Sequence, residues 1–438
     1  MWLDGAKREM VSQMRKLSPR ISSALFLIII AIFTTLHMND TKRKLHFFVC
    51  GFPAHGHTNP TLGVVRNLID LGYQVTYCSK EEFRESIEKN GAHFFAYSSK
   101  SLDSLVSSKV PSPDVHKVLL KSALEILPTL LPLNDQRKFD AVIYDSAAAL
   151  WGQVLGDVWK CPSFYSNTPF LFTPEDTVEY MSEFMPNVDE EYLHNRALMK
   201  EKYNLSLQSD SVFDINNFSR ATRIIVYVSP ELQPNSEKFQ GEKYIYLGNR
   251  FDNAPQPSTT RLEAGSTIYI SLGTVFNENL NLLKTLIKVL SKTKYKVIVS
   301  VGKNDDIYKH LLPFQTGSNI DIYKFVDQLD VLNKASLFIT HGGMNSIYEG
   351  LYLGVPMIVI PQMQEQRFNA YRIKELNAGL LLEAKQISEA DIESALKKIA
   401  VKWDDYKKES LRLRATFLSS DNNKQVAKKI ENIVKNFT

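Results

Sequence analysis

The stretch Ser336-Leu337-Phe338-Ile339-Thr340-His341-Gly342-Gly343-Met344-Asn345-Ser346-Ile347-Tyr348-Glu349-Gly350 constrains this chain most. Leu337 to Ile339 are an apolar run suited to a buried strand. Gly342 and Gly343 permit a sharp turn and leave no Cβ in a ligand's way. A helix follows, with Asn345 or Ser346 as its expected N-cap. Free N–H groups and the dipole at such a helix start attract an anion. Glu349 falls about one helical turn beyond Ser346 on the same face. There a carboxylate can accept hydrogen bonds from ribose hydroxyls. His341, at the strand end, can donate to a phosphate oxygen. These residues predict a pocket for a nucleotide diphosphate; the alternative is an ordinary strand–turn–helix with a capping Asn or Ser.

The rest of the chain repeats the same alternation twice. Strands are expected at Leu45–Cys50, Gln74–Cys78, His93–Tyr97, Asp140–Asp145, Pro162–Tyr165, Ile224–Val228 and Tyr244–Leu247. Helical spacing separates several of them, as at Thr61–Leu71, Val115–Leu130 and Ala147–Val158. Residues 248–265 carry Pro, Gln, Ser and Thr without apolar periodicity and read as a linker. A second run follows, with strands at Thr267–Ser271, Tyr295–Val301, Ile320–Phe325, Leu337–Ile339 and Pro356–Pro361. Helices are expected at Leu280–Leu290, from Val331, and at Asn369–Leu376, the last stopped by Gly379; the tail from Glu389 is helical and charged. Strand–helix alternation predicts parallel α/β architecture in two halves, and ligands gather beyond the carboxyl ends of such strands. His57 and Asp145 both fall just past strand ends.

Composition excludes more than it identifies. The 438 residues are 44% hydrophobic and 23% charged, with a net charge of +4. No dense basic stripe with interleaved aromatics suggests nucleic acid. Three cysteines without a C-x-x-C pair fit a reducing, cytoplasmic compartment rather than a disulfide framework or a zinc site. His55-Gly56-His57 has no third metal ligand nearby, so no metal is expected. Residues 1–43 stand apart. A basic lead precedes an apolar run from Ala24 to Phe33, shorter than the roughly 20 residues of a spanning helix. The run suits a signal-peptide core, an interfacial anchor or sequence upstream of a start at Met38. Membrane contact is therefore expected only through residues 24–36.

Three segments carry a family resemblance. Phe325-Val326-Asp327-Gln328 comes first, then His341 to Glu349, then Pro361-Gln362-Met363-Gln364-Glu365-Gln366-Arg367-Phe368-Asn369-Ala370. In this order and spacing they resemble the donor-binding signature of the UDP-glycosyltransferases of GT-B fold, nearest the bacterial macrolide-type branch. Pro53-Ala54-His55-Gly56-His57-Thr58-Asn59-Pro60 resembles the same family's amino-terminal acceptor loop. The resemblance implies two Rossmann-like domains facing each other across a cleft. It gives an acceptor domain at 44–247, a donor domain at 266–415, and a carboxyl-terminal helix at 416–438 packing back on the amino-terminal domain.

The resemblance also implies roles. Phe325 lies against uracil, the Val326 backbone reads the base edge, and Gln328 sits near the nucleoside. Thr274, His341, Gly343, Asn345 and Ser346 hold the diphosphate, and Glu349 the ribose. Glu365 and Gln366 bind sugar hydroxyls. Asp327 stands where the family usually has Pro, and Glu365 where Asp is commoner. The co-substrate is then a UDP-sugar and the other partner an apolar, hydroxyl-bearing acceptor.

The acceptor hydroxyl must lose a proton as it attacks, and histidine near neutral pKa suits that task. A carboxylate that fixes its tautomer completes the pair. His57 with Asp145 is the expected pair; a helix-capping role is the alternative for each. The resemblance favours His57 over His55, because it places the base just before Thr58-Asn59-Pro60. The expected enzyme is an inverting UDP-dependent hexosyltransferase, with glucose as the expected sugar. Within the same fold, a UDP-sugar epimerase or hydrolase and a membrane-associated lipid glycosyltransferase stay open. The aromatic and Met-rich segment from Phe170 to Phe218 is expected either to pack the core and lid or to line an apolar acceptor pocket.

Overall fold

Strand β1 (His46–Cys50) is buried along its whole length, as an apolar run between two helical layers should be. In the computed structural model it lies near the middle of a seven-stranded parallel sheet. Its companions are β2 (Gln74–Ser79), β3 (His93–Ala96), β4 (Ala141–Asp145), β5 (Ser163–Asn167), β6 (Arg223–Val226) and β7 (Tyr244–Tyr246). The order is β3-β2-β1-β4-β5-β6-β7. A second parallel sheet is built from β8 (Thr267–Ser271), β9 (Lys296–Ser300), β10 (Ile320–Tyr323), β11 (Ala335–Thr340), β12 (Met357–Val359) and β13 (Gly379–Leu381). Its order, β10-β9-β8-β11-β12-β13, repeats the topology of the first. Each sheet reverses direction of winding between its first and fourth strand, at β1/β4 and at β8/β11. Those two switch points are where ligands bind in open α/β sheets. The structure describes residues 44–107, 114–173, 175–177, 186–210, 220–251, 256–273, 279–302, 305–315, 319–383 and 386–437. Both sheets belong to one compact unit, His46–Thr438. The apolar run at residues 24–33 lies outside the described residues, and so do Tyr180, Met181, Phe184 and Met185 of the aromatic segment. Among the described residues no helix is long and apolar enough to cross a membrane.

The helices that matter for the site are α1 (His55–Asp70), α2 (Val115–Leu130), α3 (Ala149–Trp159), α4 (Leu280–Leu290), α5 (Gln328–Lys334), α6 (Met344–Tyr352), α7 (Gln364–Glu375), α8 (Trp403–Ser419) and α9 (Asn423–Lys435). Several boundaries depart from the sequence reading, each for a physical reason. Helix α1 starts at His55, not Thr61, so both loop histidines lie in its first turn and Pro60 lies inside it. Helix α5 starts at Gln328, because Asp327 caps it: the Asp327 carboxylate accepts from the Asp330 N–H at 3.1 Å. The departure from Pro at position 327 thus supplies a different helix start. Helix α7 starts at Gln364, which brings Glu365 and Gln366 into its first turn. It ends before Asn377, whose φ of 50° turns the chain; Gly379, expected as the stop, instead opens strand β13.

The two halves are tied by the carboxyl-terminal helices. Phe417 of α8 stacks on Tyr348 of α6 with ring centroids 4.8 Å apart. Ser229, beyond β6, shares a 2.8 Å hydrogen bond with Thr416. Helix α9 packs on α1, where the Tyr73 hydroxyl donates to Glu431 at 2.5 Å. The contact is close because Gly63 has no side chain: a Cβ there would come within 2.5 Å of the Asn423 amide. Asn423 is buried and donates to the Arg250 carbonyl, so it has little freedom to yield. Gly63→Ala is therefore expected to destabilise the protein by about 1–3 kcal/mol, the usual range for overpacking, read as a lower urea midpoint at unchanged slope.

Candidate active site

The first switch point assembles an acid–base pair. Strand β1 runs into the loop that opens α1 and delivers His57. Strand β4, hydrogen-bonded beside β1, ends on Asp145. The His57 Nδ1 lies 2.8 Å from Asp145 Oδ1. That oxygen also accepts from the Ala147 N–H at 2.8 Å, so Asp145 caps the turn that follows and holds the histidine at once. Two acceptors cannot approach to 2.8 Å, so Nδ1 carries a proton and Nε2 is left as the basic atom. The His57 side chain retains 28% exposure, whereas that of Asp145 retains 1%. Burial pulls the His57 pKa down, but the charge and hydrogen bond of Asp145 and the charge of Glu365 outweigh it. The imidazole is held above its ordinary value. Thr168, the residue after β5, places Oγ1 3.1 Å from the same Nδ1.

The second switch point holds the glycine turn. Gly342 has φ 87°, and a Cβ there would meet Val359 Cγ1 at 2.7 Å. The helix N-cap is Gly343, not Asn345 or Ser346. Gly343 is extended and caps α6 with no side chain. Asn345 and Ser346 are thereby inside the first turn, where the backbone N–H groups lack intrahelical acceptors. The imidazole of His341 lies against Gly343, whose missing Cβ would come within 2.6 Å of Nε2. Burial pushes the His341 pKa down to about 4, against the Ser271 carbonyl, which favours the proton. At neutral pH burial thus favours the uncharged imidazole, whose single N–H has the Ser271 carbonyl as its acceptor.

Around this turn the expected donor residues fall into distinct places. Gln328 Nε2 donates to Glu349 at 2.6 Å and approaches Ser346 Oγ at 3.5 Å, while its carbonyl accepts from Tyr269 at 3.2 Å. Burial pushes the Glu349 pKa up, offset in part by Gln328 and by the charge of Arg250. Phe325 is 55% exposed, an uncovered ring at the end of the edge strand β10. Val326 is half-buried against the core. Glu365 stands in the first turn of α7, accepting from Asn369 at 3.3 Å. Burial raises its pKa and the nearby His57 of the other half lowers it. Gln366 is buried, and its carbonyl accepts from the Gln362 N–H at 2.9 Å, which commits that oxygen to the turn. Thr274 lies outside the described residues.

Asn345 joins the two halves. Pro60, inside α1, lacks the N–H that would bond the Gly56 carbonyl. Asn345 Nδ2 donates to that carbonyl at 3.3 Å from across the cleft. Arg250 Nη1 donates to Asn345 Oδ1 at 2.9 Å. A guanidinium has no acceptor, so it faces the amide oxygen and turns the NH₂ group toward the acceptor loop. Arg250 itself lies 3.6 Å from the centroid of the Tyr348 ring. Sequence reasoning missed Arg250, which sits in a stretch read as linker, and Thr168. The one available signal for Thr168 was its place after a strand adjoining β4. Phe170 and Phe172 contact Phe368 of α7, at centroid distances of 5.8 and 4.9 Å. That part of the aromatic segment therefore reaches the donor half. Among the described residues no group of His, Cys, Asp and Glu could hold a metal ion.

Two like-wound parallel sheets with helices between their strands match the GT-B architecture of solved glycosyltransferase structures. Residues 247–421 match the UDP-glucoronosyl and UDP-glucosyl transferase family. The chain belongs to that family. It is 31% identical over 369 residues to the NDP-glycosyltransferase YjiC of Bacillus subtilis, covering 82% of this chain and 90% of the relative. It is 32% identical over 375 residues to the protein of the same name from Bacillus licheniformis, covering 80% and 88%. The oleandomycin glycosyltransferase of Streptomyces antibioticus is 24% identical, with 86% and 87% covered. Among solved structures, the glycosyltransferase of kitacinnamycin superposes with a TM-score of 0.76 at 23% identity, covering 90% of this chain and all of that one.

Proposed function

We propose that this protein is an inverting glycosyltransferase that moves a hexose, glucose in the first instance, from a UDP-sugar to a hydroxyl of an apolar small molecule. The observation that carries this reading is the His57–Asp145 pair, which leaves Nε2 as the basic atom, with Glu365 of the opposite half close enough to act on its charge. His57 Nε2 takes the acceptor proton. The acceptor oxygen bonds to the anomeric carbon as the bond from that carbon to the diphosphate breaks. UDP departs with the electron pair, and the anomeric centre inverts. The growing charge on UDP meets the first-turn N–H groups of α6, beside which His341 lies. Phe325 offers a face for uracil, with the Val326 backbone at the base edge and Gln328 near the nucleoside. Glu349 holds the ribose, Asn345 and Ser346 the diphosphate together with Thr274, and Glu365 with Gln366 the sugar. With the charge stabilised in this way, no metal is expected to be required for the chemical step. The name of the oleandomycin glycosyltransferase supports a small natural product as the acceptor class.

The test is a mass-spectrometric screen of the purified protein with several UDP-sugars against phenols, macrolides and lipids, each with a no-acceptor control. Acceptor-dependent mass gain of one hexose supports the reading. Sugar release or isomerisation without acceptor would instead favour a hydrolase or epimerase.

Arg250 gives a second check. Without its guanidinium the Asn345 amide loses the partner that orients it. Arg250→Met is expected to weaken UDP binding roughly tenfold, the worth of about one charge-assisted hydrogen bond. Arg250→Lys should not restore it, because an ammonium cannot both stack on Tyr348 and reach Asn345. Titration calorimetry with UDP reads both variants.

A further inference from the structure

Three strand ends meet at His57, and two of them already have roles in the proposed chemistry. The third, β5, ends beside β4 and is followed directly by Thr168. Its side chain is buried, and its hydroxyl oxygen lies 3.1 Å from His57 Nδ1, the atom that also faces Asp145 at 2.8 Å. The proton on Nδ1 is fixed by Asp145, as argued from the close approach of two acceptors. Thr168 Oγ1 can therefore only accept from that N–H, and the bond is shared between carboxylate and hydroxyl. A ring with one partner at Nδ1 can still swing about the hydrogen bond. A ring with two partners on different strands is held in its plane.

We propose that Thr168 is a positioning residue for the base: as a second acceptor for the His57 Nδ1–H, it fixes the imidazole plane and aims Nε2 into the cleft. The inference rests on the reading of His57 as the base. An N–H on imidazolium is a stronger donor than one on neutral imidazole, so a second acceptor also favours the charged ring. The other charged groups facing His57 are Asp145 at the end of β4 and Glu365 in the first turn of α7. Tyr77 and Tyr227 face Asp145 as neutral phenols, since burial pushes both well up. Phe52, from the same loop, meets the ring edge-on at 5.2 Å and contributes no charge.

The test compares Thr168→Val, which keeps the shape and removes the acceptor, with Thr168→Ser, which keeps it. Imidazole ¹⁵N NMR on the unliganded full-length protein, with His57→Ala assigning the signals, follows tautomer and titration without any substrate. Thr168→Val is expected to lower the His57 titration midpoint, and Thr168→Ser to leave it near that of the parent. Transfer from UDP-glucose to an acceptor found by the screen is expected to fall roughly tenfold in kcat for Thr168→Val, with its acid limb moved to lower pH. UDP affinity measured by calorimetry is expected to stay unchanged, because Thr168 lies in the acceptor half; this also reports that the variant is folded. A parent-like midpoint and rate in Thr168→Val would overturn the role of Thr168 while leaving His57 intact. Parent-rate transfer by His57→Ala would instead overturn the reading of the base. Should Thr168→Val fail to fold, a midpoint and rate in Thr168→Ala equal to the parent's would overturn the proposal in the same way.

Discussion

Replacing His57 with alanine is expected to lower transfer by roughly 10²- to 10⁴-fold, the usual worth of a positioned general base, while UDP binds as it does to the parent. The split follows from the geometry. His57 belongs to the first turn of α1 and bonds to Asp145 and Thr168, all in the acceptor half. The groups assigned to the nucleotide stand in the β10–α5 loop, on α5, in the β11–α6 turn and on α6 of the other half. Asp145→Asn should lose less, because its amide can still accept from Nδ1–H without stabilising imidazolium charge. The pH profile offers an independent reading. A base must be neutral to take a proton, and the net influence of Asp145 and Glu365 holds His57 above the ordinary histidine value. The acid limb of kcat/KM is therefore expected above about 6.5, the unperturbed value. Glu365→Gln removes one of those charges and should move the limb down. Parent-level transfer by His57→Ala would remove this residue from the chemistry.

The second large effect is expected at Glu349. Its carboxylate is held by the Gln328 amide at 2.6 Å and faces the charge of Arg250. If it binds both ribose hydroxyls, Glu349→Gln loses two charge-assisted bonds worth about 1.5–3 kcal/mol each, less what the amide recovers. UDP affinity should fall roughly 30- to 100-fold, with kcat at saturating donor little changed. Comparing UDP with its 2′,3′-dideoxy analogue makes the test specific. The parent should discriminate strongly and the variant weakly. Equal discrimination by both proteins would show that Glu349 serves the fold rather than the ribose. Because burial raises the Glu349 pKa, UDP affinity should also begin to fall, as pH is lowered, above the range of an ordinary carboxylate.

Much of the fold was legible because local pattern and topology agree. Apolar runs such as Phe47–Val49 and Leu337–Ile339 are buried on both faces and can only be central strands. Helix starts were less legible, since caps are made by whichever side chain or backbone reaches the turn. Asp327 takes over the start of α5 with its own carboxylate, and Gly343 takes over α6 with none. Pro60 pointed away from a helix, yet α1 runs through it.

By itself, the sequence determined the alternation that makes two parallel sheets, the glycine turn of residues 341–343, and the two residue types of the His57–Asp145 pair. These depend on spacing along the chain, which a sequence states directly. Only the tertiary structure decided that β1, β4 and β5 lie side by side, so that His57, Asp145 and Thr168 share one nitrogen. Only it decided that Asn345 spans the cleft to the carbonyl left free by Pro60, with Arg250 orienting the amide. The reason is physical: hydrogen bonds between residues 88, 111 or 289 positions apart are set by strand order and by how the two halves dock. No local periodicity encodes either.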